Sequence, residues 1–167
     1  ALVERAQAHG GLVSYRSNAD GSASPYELNI NYGDALTDPR DPVDLAVDRL
    51  VGAHAIALAL PGVPGIYFHS LFGSTGWHEG PAQTGSNRSI NRQRLELADL
   101  ESELADPSSR RYRVFSRIRR LLEVRASHPA FDPAAAHAVV DVGDRVFALK
   151  RTAANGDTVL CLQSLSD

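Results

Sequence analysis

The sequence predicts an α/β segment followed by part of an antiparallel all-β module. Two observations carry that reading. Residues 41–60 form an apolar helical run that stops at Pro61-Gly62 and passes at once into a short apolar strand, residues 63–68. A helix and strand joined by two residues is the αβ step of a barrel or a doubly wound sheet. After Pro129 and Pro133 the apolar period changes from helical spacing to alternation. The strand at 63–68 also leads into a long loop rich in Gly, Asn and Arg that runs to Arg92. Delivering such a loop from the C-terminal end of a parallel strand is how α/β barrels build active sites.

Residues 1–9 carry Leu, Val and Ala at helical spacing, and Gly10-Gly11 ends the run as a C-cap would. Residues 12–16 form a short extended run, and residues 17–25, SNADGSASP, read as a flexible, turn-rich connection. Residues 26–32, YELNINY, alternate strictly, with Tyr26, Leu28, Ile30 and Tyr32 on one face. That pattern fits a half-buried strand or an extended active-site loop. Asp41-Pro42 supplies an N-cap and first-turn proline for the helix that follows. This helix is apolar almost all round, so deep packing is expected. Residues 95–104 predict a polar helix broken by Asp106-Pro107. Residues 108–127 predict a longer one, with Val114, Phe115, Ile118, Leu121 and Leu122 on one stripe. Three antiparallel strands follow at 137–142, 145–150 and 158–163, joined through Gly143-Asp144 and a turn containing Asn155-Gly156. A domain boundary is placed near Phe131.

The composition, 43% hydrophobic and 22% charged over 167 residues, is that of a soluble globular protein. With 17 basic and 20 acidic residues, net charge −3, there is no basic excess for nucleic acid. The arginines between Arg110 and Arg125 interleave with the apolar stripe and read as a solvated helix face. Cys161 is a single cysteine, so an internal disulfide is impossible and a cysteine-based metal cluster is excluded. No apolar run is long enough to span a membrane and no signal-peptide pattern opens the chain, so a cytoplasmic setting is expected. His, Asp and Glu show no metal-ligand spacing, and neither a metal nor a cofactor is expected. Methionine is absent, and the chain opens inside a predicted helix and stops just after a predicted strand. A piece of a longer protein is therefore expected.

The string GVPGIYF at 62–68 resembles the eighth-strand signature of the α-amylase superfamily of (β/α)8 barrels. Three further strings are PYELNINY at 25–32, HSLFGS at 69–74 and TGSNRSINR at 84–92. In this order and spacing they resemble the C-terminal third of sucrose-phosphorylase-type glucoside phosphorylases, in the branch of sugar or glucosylglycerate phosphorylases. The resemblance is strong as far as Arg92 and weak beyond it. It implies that residues 1–131 are the C-terminal part of a (β/α)8 TIM barrel, with the eighth strand near 63–68. Residues 132–167 would then be a truncated antiparallel all-β C-terminal domain, a partial β-sandwich.

Such enzymes cleave an α-glucoside with inorganic phosphate and release α-glucose 1-phosphate. The chemistry needs two carboxyl groups about 5–5.5 Å apart, one nucleophile and one general acid/base. A third carboxylate steadies the transition state, and the resemblance implies that all three lie upstream of this chain. No catalytic residue is assigned here, and the chain alone is expected to be inactive. The resemblance makes Arg88 the arginine that helps hold the glucosyl unit, a role suited to the guanidinium fork. It makes Tyr26 the tyrosine of a loop that serves the leaving group and phosphate in turn, and puts Ser24 and Glu27 at other acceptor positions of that loop. An acidic Glu27 would repel phosphate, so it is expected to meet a hydroxyl or to point away. The expected partners are an α-glucoside and inorganic phosphate. Thr75 and Ser86 stand where relatives of this type often carry arginine.

Without the resemblance, Arg88 and Arg92 read as ties between the loop and the barrel rim; with it, Arg88 reads as functional and Arg92 does not. Tyr26 has an alternative as an ordinary packed aromatic. His69 reads as a satisfied histidine at the rim, His54 as a core histidine, and Trp77 and His78 as either sugar-stacking or loop-anchoring. Two other functions stand beside phosphorolysis: hydrolysis or transglucosylation on the same scaffold, and a non-catalytic carbohydrate-binding remnant.

Overall fold

In a computed structural model that describes residues 1–166, the chain has an α/β fold with helices and two small antiparallel sheets. Two compact units partition it, the first from residues 1–50 and 67–114, the second from 51–66 and 115 onward. The boundary expected near Phe131 falls inside the second unit. Asp167, the last residue of the expected β domain, lies outside the described residues.

The first unit opens with α1 (Leu2–Ala8). Gly10, at φ 82°, ends it: the Gly10 and Gly11 N–H groups donate to the carbonyls of Gln7 and Ala6, at 3.0 and 2.7 Å. This is the Schellman pattern, and it needs the left-handed residue that glycine supplies. A tight hairpin follows, β1 (Leu12–Ser17) against β2 (Ala23–Asn29), antiparallel from Leu12↔Asn29 to Ser17↔Ala23. The stretch read as a flexible connection is mostly ordered. Its turn is closed by Asn18 N–H on Ser22 O and by Asp20, whose carboxylate accepts from the Ser22 N–H and hydroxyl. Its last residues already belong to β2.

The alternation at 26–32 is real in part, but its burial is reversed. Tyr26 is 61% exposed, whereas Asn29 is 2% and Asn31 4% exposed. Both asparagines go inside because they are satisfied there. Asn29 Nδ2 donates to Ser14 Oγ at 2.9 Å, and Asn31 Oδ1 accepts the Gly33 N–H at 3.1 Å as the N-cap of α2 (Tyr32–Leu36). Tyr32 is therefore helical.

The apolar helix is α3 (Val43–Ala59), with Val47 and Leu50 fully buried and His54 in the core as expected. Asp41 does not cap it. Its carboxylate pairs with Arg49 at 2.7 Å and accepts the Asp38 N–H instead. Pro61-Gly62 stops the helix, with Gly62 at φ 97°. The strand expected at 63–68 is absent. Residues 63–67 pair with no strand among the described residues, and Phe68 already opens the short α4 (Phe68–Leu71). A strand is held by its neighbours' backbone groups, and among the described residues this segment has no strand to bond. Then come α5 (Gly80–Thr84), a 3₁₀ turn at Asn87–Asn91, α6 (Leu97–Ala105) and α7 (Arg110–Ser127). Val114 and Ile118, on the expected stripe of α7, are fully buried.

In the second unit β3 (Ala136–Val139), β4 (Val146–Thr152) and β5 (Thr158–Ser164) form the expected antiparallel sheet in that order. Gly156, at φ 92°, makes the β4–β5 turn as its Asn-Gly sequence predicts. Leu58 and Ala59 of α3 belong to this unit, as do Arg125 of α7 and the sheet. Both outer strands leave apolar side chains in solvent, with Val139 83%, Leu160 53% and Leu162 58% exposed. Such unpaired edges and faces promote association. The 167-residue chain expressed alone is accordingly expected to elute as aggregate and to melt without a cooperative transition. A soluble monomer with one sharp thermal transition would contradict this.

Candidate functional site

Two of the residues singled out by sequence, Glu27 and Arg88, meet where β2 faces the 3₁₀ turn. Arg88 Nε donates to both carboxylate oxygens of Glu27, at 2.9 and 3.1 Å, across 61 positions of sequence. Glu27 thereby raises the Arg88 pKa further, by hydrogen bonding first and charge second. A second clasp lies beside it: Ser14 Oγ of β1 accepts from the side-chain amides of both Asn29 and Asn87, at 2.9 and 3.3 Å. The hairpin and the turn are thus stitched together by one ion pair and one shared hydroxyl. The carboxylate expected to repel phosphate is instead neutralised by the arginine.

Tyr26 is adjacent, and the ladder explains its exposure. Ser14 pairs with Glu27 and Tyr15 with Pro25, so Tyr26 is the extra residue of a β-bulge. Bulges re-aim a side chain out of the ladder. Ser24 is drawn away from this group, since its hydroxyl donates to Asn18 Oδ1 at 3.2 Å in the hairpin turn. Glu27 and Arg88 are therefore brought together and Tyr26 set beside them, while Ser24 sits at the far end of the strand.

The loop before Arg88 is built by small residues and hydroxyls. A Cβ on Gly80 would fall 2.4 Å from the Trp77 ring, so only glycine lets the indole pack that close to the backbone. Gly85, at φ 71°, ends α5. Thr84 and Ser89 bond through their hydroxyls, and the Ser89 hydroxyl donates to Ser86 O at 2.7 Å. The result is a cavity of about 600 Å³ walled by Trp77, Ser86, Arg88, Arg92 and Arg94 among others. Three guanidiniums and no carboxylate line it. Among the described residues neither Arg92 nor Arg94 has an ion-pair partner. Sequence reasoning set Arg92 aside and passed over Arg94. Three arginines within the run NRSINRQR were the available signal, but a loop has no periodicity to say which side chains share a face.

Two histidines are accounted for. His69 is buried between the edges of the Tyr67 and Phe68 rings, with Nδ1 3.0 Å from Ser74 Oγ. Burial, then the charge of Arg111, lowers its pKa, which favours the neutral ring. This agrees with the expected satisfied histidine. His78 packs against the backbone of Gly10, its Cε1 3.1 Å from where a Cβ would be. Trp77 anchors the loop, its backbone N–H donating to Ile90 O at 2.8 Å, and it also lines the cavity. No group of three or more His, Cys, Asp or Glu is arranged to hold a metal ion among the described residues.

No family model matches the chain. Among curated proteins it is 41% identical to the glucosylglycerate phosphorylase of Spirochaeta thermophila over 99% of its own length and 28% of that protein's. It is 36% identical to the glucosylglycerate phosphorylase of Escherichia coli, over 99% of the chain and 30% of the relative. The chain is homologous to these phosphorylases. A third homologue of the same name, from Allomeiothermus silvanus, is 44% identical over 80% of the chain and 24% of its own length. The chain thus spans less than a third of the length of the curated relatives it matches. The first two alignments run over 99% of the chain and so continue past Arg92.

Proposed function

We propose that this chain forms one wall of the substrate site in a retaining α-glucoside phosphorylase, which moves a glucosyl group from a sucrose- or glucosylglycerate-like donor to inorganic phosphate. In this reading residues 1–131 are the C-terminal part of a (β/α)8 barrel, residues 63–68 are its eighth strand, and residues 132–167 begin an all-β domain. The strand would find its partners in the remainder of the barrel. Arg88 holds the glucosyl hydroxyls. Glu27 orients Arg88, Tyr26 stands at the acceptor side on its bulge, and Ser24 supports the loop from the hairpin end. Arg92 and Arg94 supply the positive field that an incoming phosphate requires.

One observation carries this reading: Glu27 and Arg88 lie in two separate motifs of the phosphorylase resemblance and are bonded to one another at 2.9 Å. The chemistry balances simply. The glycosidic bond breaks with transfer of a proton to the leaving oxygen, and a glucose–oxygen bond to phosphate forms with retained configuration through two successive displacements. The carboxyl groups for those steps belong to the remainder of the protein.

The test is product analysis of the full-length protein with a glucosylglycerate- or sucrose-type donor, with and without phosphate. Phosphate-dependent release of α-glucose 1-phosphate is expected. Release of free glucose at the same rate in both conditions would establish a hydrolase and remove the phosphorylase reading.

A further inference from the structure

Asp34 touches neither Arg88 nor the cavity wall, yet its contacts lead to both. Its Oδ2 accepts the Gly76 N–H at 2.7 Å, joining residues 42 positions apart. The next residue, Trp77, donates its backbone N–H to Ile90 O at 2.8 Å, inside the 3₁₀ turn that carries Arg88. Its side chain walls the arginine cavity. Gly76 is gripped from both sides: a Cβ there would stand 3.2 Å from Asp34 Oδ2 and 3.2 Å from Ile90 Cγ1. The loop is therefore clamped between Asp34 and Ile90.

Asp34 is itself well fixed. Its backbone carbonyl accepts from His9 Nδ1 at 2.8 Å, and the Asn31 side chain caps its short helix. Arg110, whose Nε donates to Gly73 O at 2.9 Å, places its charge nearby. Burial raises the Asp34 pKa, and the Gly76 N–H is the first of the groups that offset it. A half-buried carboxylate directed at one backbone N–H is partly dehydrated and strongly directional.

We propose that Asp34 is a positioning residue for the substrate site: through Gly76 it sets the Trp77 ring and the turn bearing Arg88. This rests on the phosphorylase reading for what the site binds. The geometry itself stands without that reading.

The test uses the full-length protein with Asp34→Ala, Asp34→Asn and Gly76→Ala. Asp34→Ala is expected to raise the KM for the glucoside about tenfold, the size of one lost charge-assisted hydrogen bond, with kcat changed less. Asn keeps an oxygen that accepts the Gly76 N–H, so Asp34→Asn should return KM to within about threefold of the parent value. Trp77 is the chain's one tryptophan, and its emission, isolated by subtracting a Trp77→Phe spectrum, should shift in Asp34→Ala and not in Asp34→Asn. If Asp34→Ala does not fold, Gly76→Ala reads the same clamp from the other side and should raise the same KM.

Unchanged KM and emission in folded Asp34→Ala would overturn the proposal. So would equal losses in Asp34→Ala and Asp34→Asn, which would assign Asp34 to charge balance in its packing. A parent protein that makes no glucose 1-phosphate would overturn the phosphorylase reading alone. The emission arm would then still decide the role of Asp34.

Discussion

Arg88→Ala is expected to lower kcat/KM for the glucoside by about 10- to 100-fold, as removal of charge-assisted hydrogen bonds does. The geometry says why this arginine is suited to a ligand. Only its Nε is engaged by Glu27, and both terminal nitrogens have no protein partner among the described residues. The carboxylate fixes the plane of the guanidinium, so the remaining N–H groups are directed before substrate arrives, which limits the ordering cost of binding. Arg88→Lys should therefore restore charge without activity, because an ammonium cannot hold Glu27 along one edge and a sugar along the other. Arg88 is half exposed, so the thermal stability of both variants should match the parent. Steady-state kinetics and a melting scan on the same preparations check all of this. Parent-like kcat/KM in Arg88→Ala would return the residue to the role of a loop tie.

The strands and long helices were readable because burial wrote a period into them. Val114 and Ile118 are four apart on α7 and fully buried, while the turn between β4 and β5 announces itself in Asn155-Gly156. Residues 26–32 show where periodicity fails. Alternation there identified the faces but not which one goes inside, since two asparagines outbid two tyrosines once Ser14 and the Gly33 N–H were in reach. The missing strand at 63–67 failed for a different reason. Its apolar content was right, but a ladder is a property of two segments, and none of the described residues pairs with this one.

The candidate site was legible only where a motif spelled it. Arg88, Tyr26 and Glu27 came from the resemblance, yet nothing in sequence paired Glu27 with Arg88 at a separation of 61 residues. The bulge at Tyr26 is equally silent, because it depends on a register shift in the partner strand. Arg92 and Arg94 lie in an aperiodic loop and Asp34 in a five-residue helix too short to show a period, so their contacts are set by tertiary folding. Each would have needed a contact map to be found.

Arg151 is where the largest stability effect is expected. Its side chain is 0% exposed, and among the described residues no carboxylate pairs with it. Its terminal nitrogens donate to Ala59 O at 2.9 Å and Asp132 O at 2.8 Å, while Nε has no partner. Ala59 is the last residue of α3, whose end carbonyls are unpaired and carry partial negative charge. Arg125 bonds the carbonyls of Leu58 and Gly62, and both guanidiniums lie over the Phe131 ring, at 5.4 and 5.9 Å. Two arginines thus close one helix end.

The opposing terms are comparable. Dehydrating a guanidinium costs several kcal/mol, and two charge-assisted hydrogen bonds return about 1.5–3 kcal/mol each, with the helix end adding up to ~2 kcal/mol. Arg151→Ala leaves two carbonyls without donors and opens a void, so a loss of about 3–5 kcal/mol is expected by urea denaturation of the full-length protein. Arg151→Met separates the terms, because it fills the space and removes the charge. If carbonyl capping dominates, as the two short bonds indicate, Met should still lose about 2 kcal/mol. A Met variant as stable as the parent would show that dehydration cancels the caps, and that Arg151 specifies how α3 ends without stabilising it.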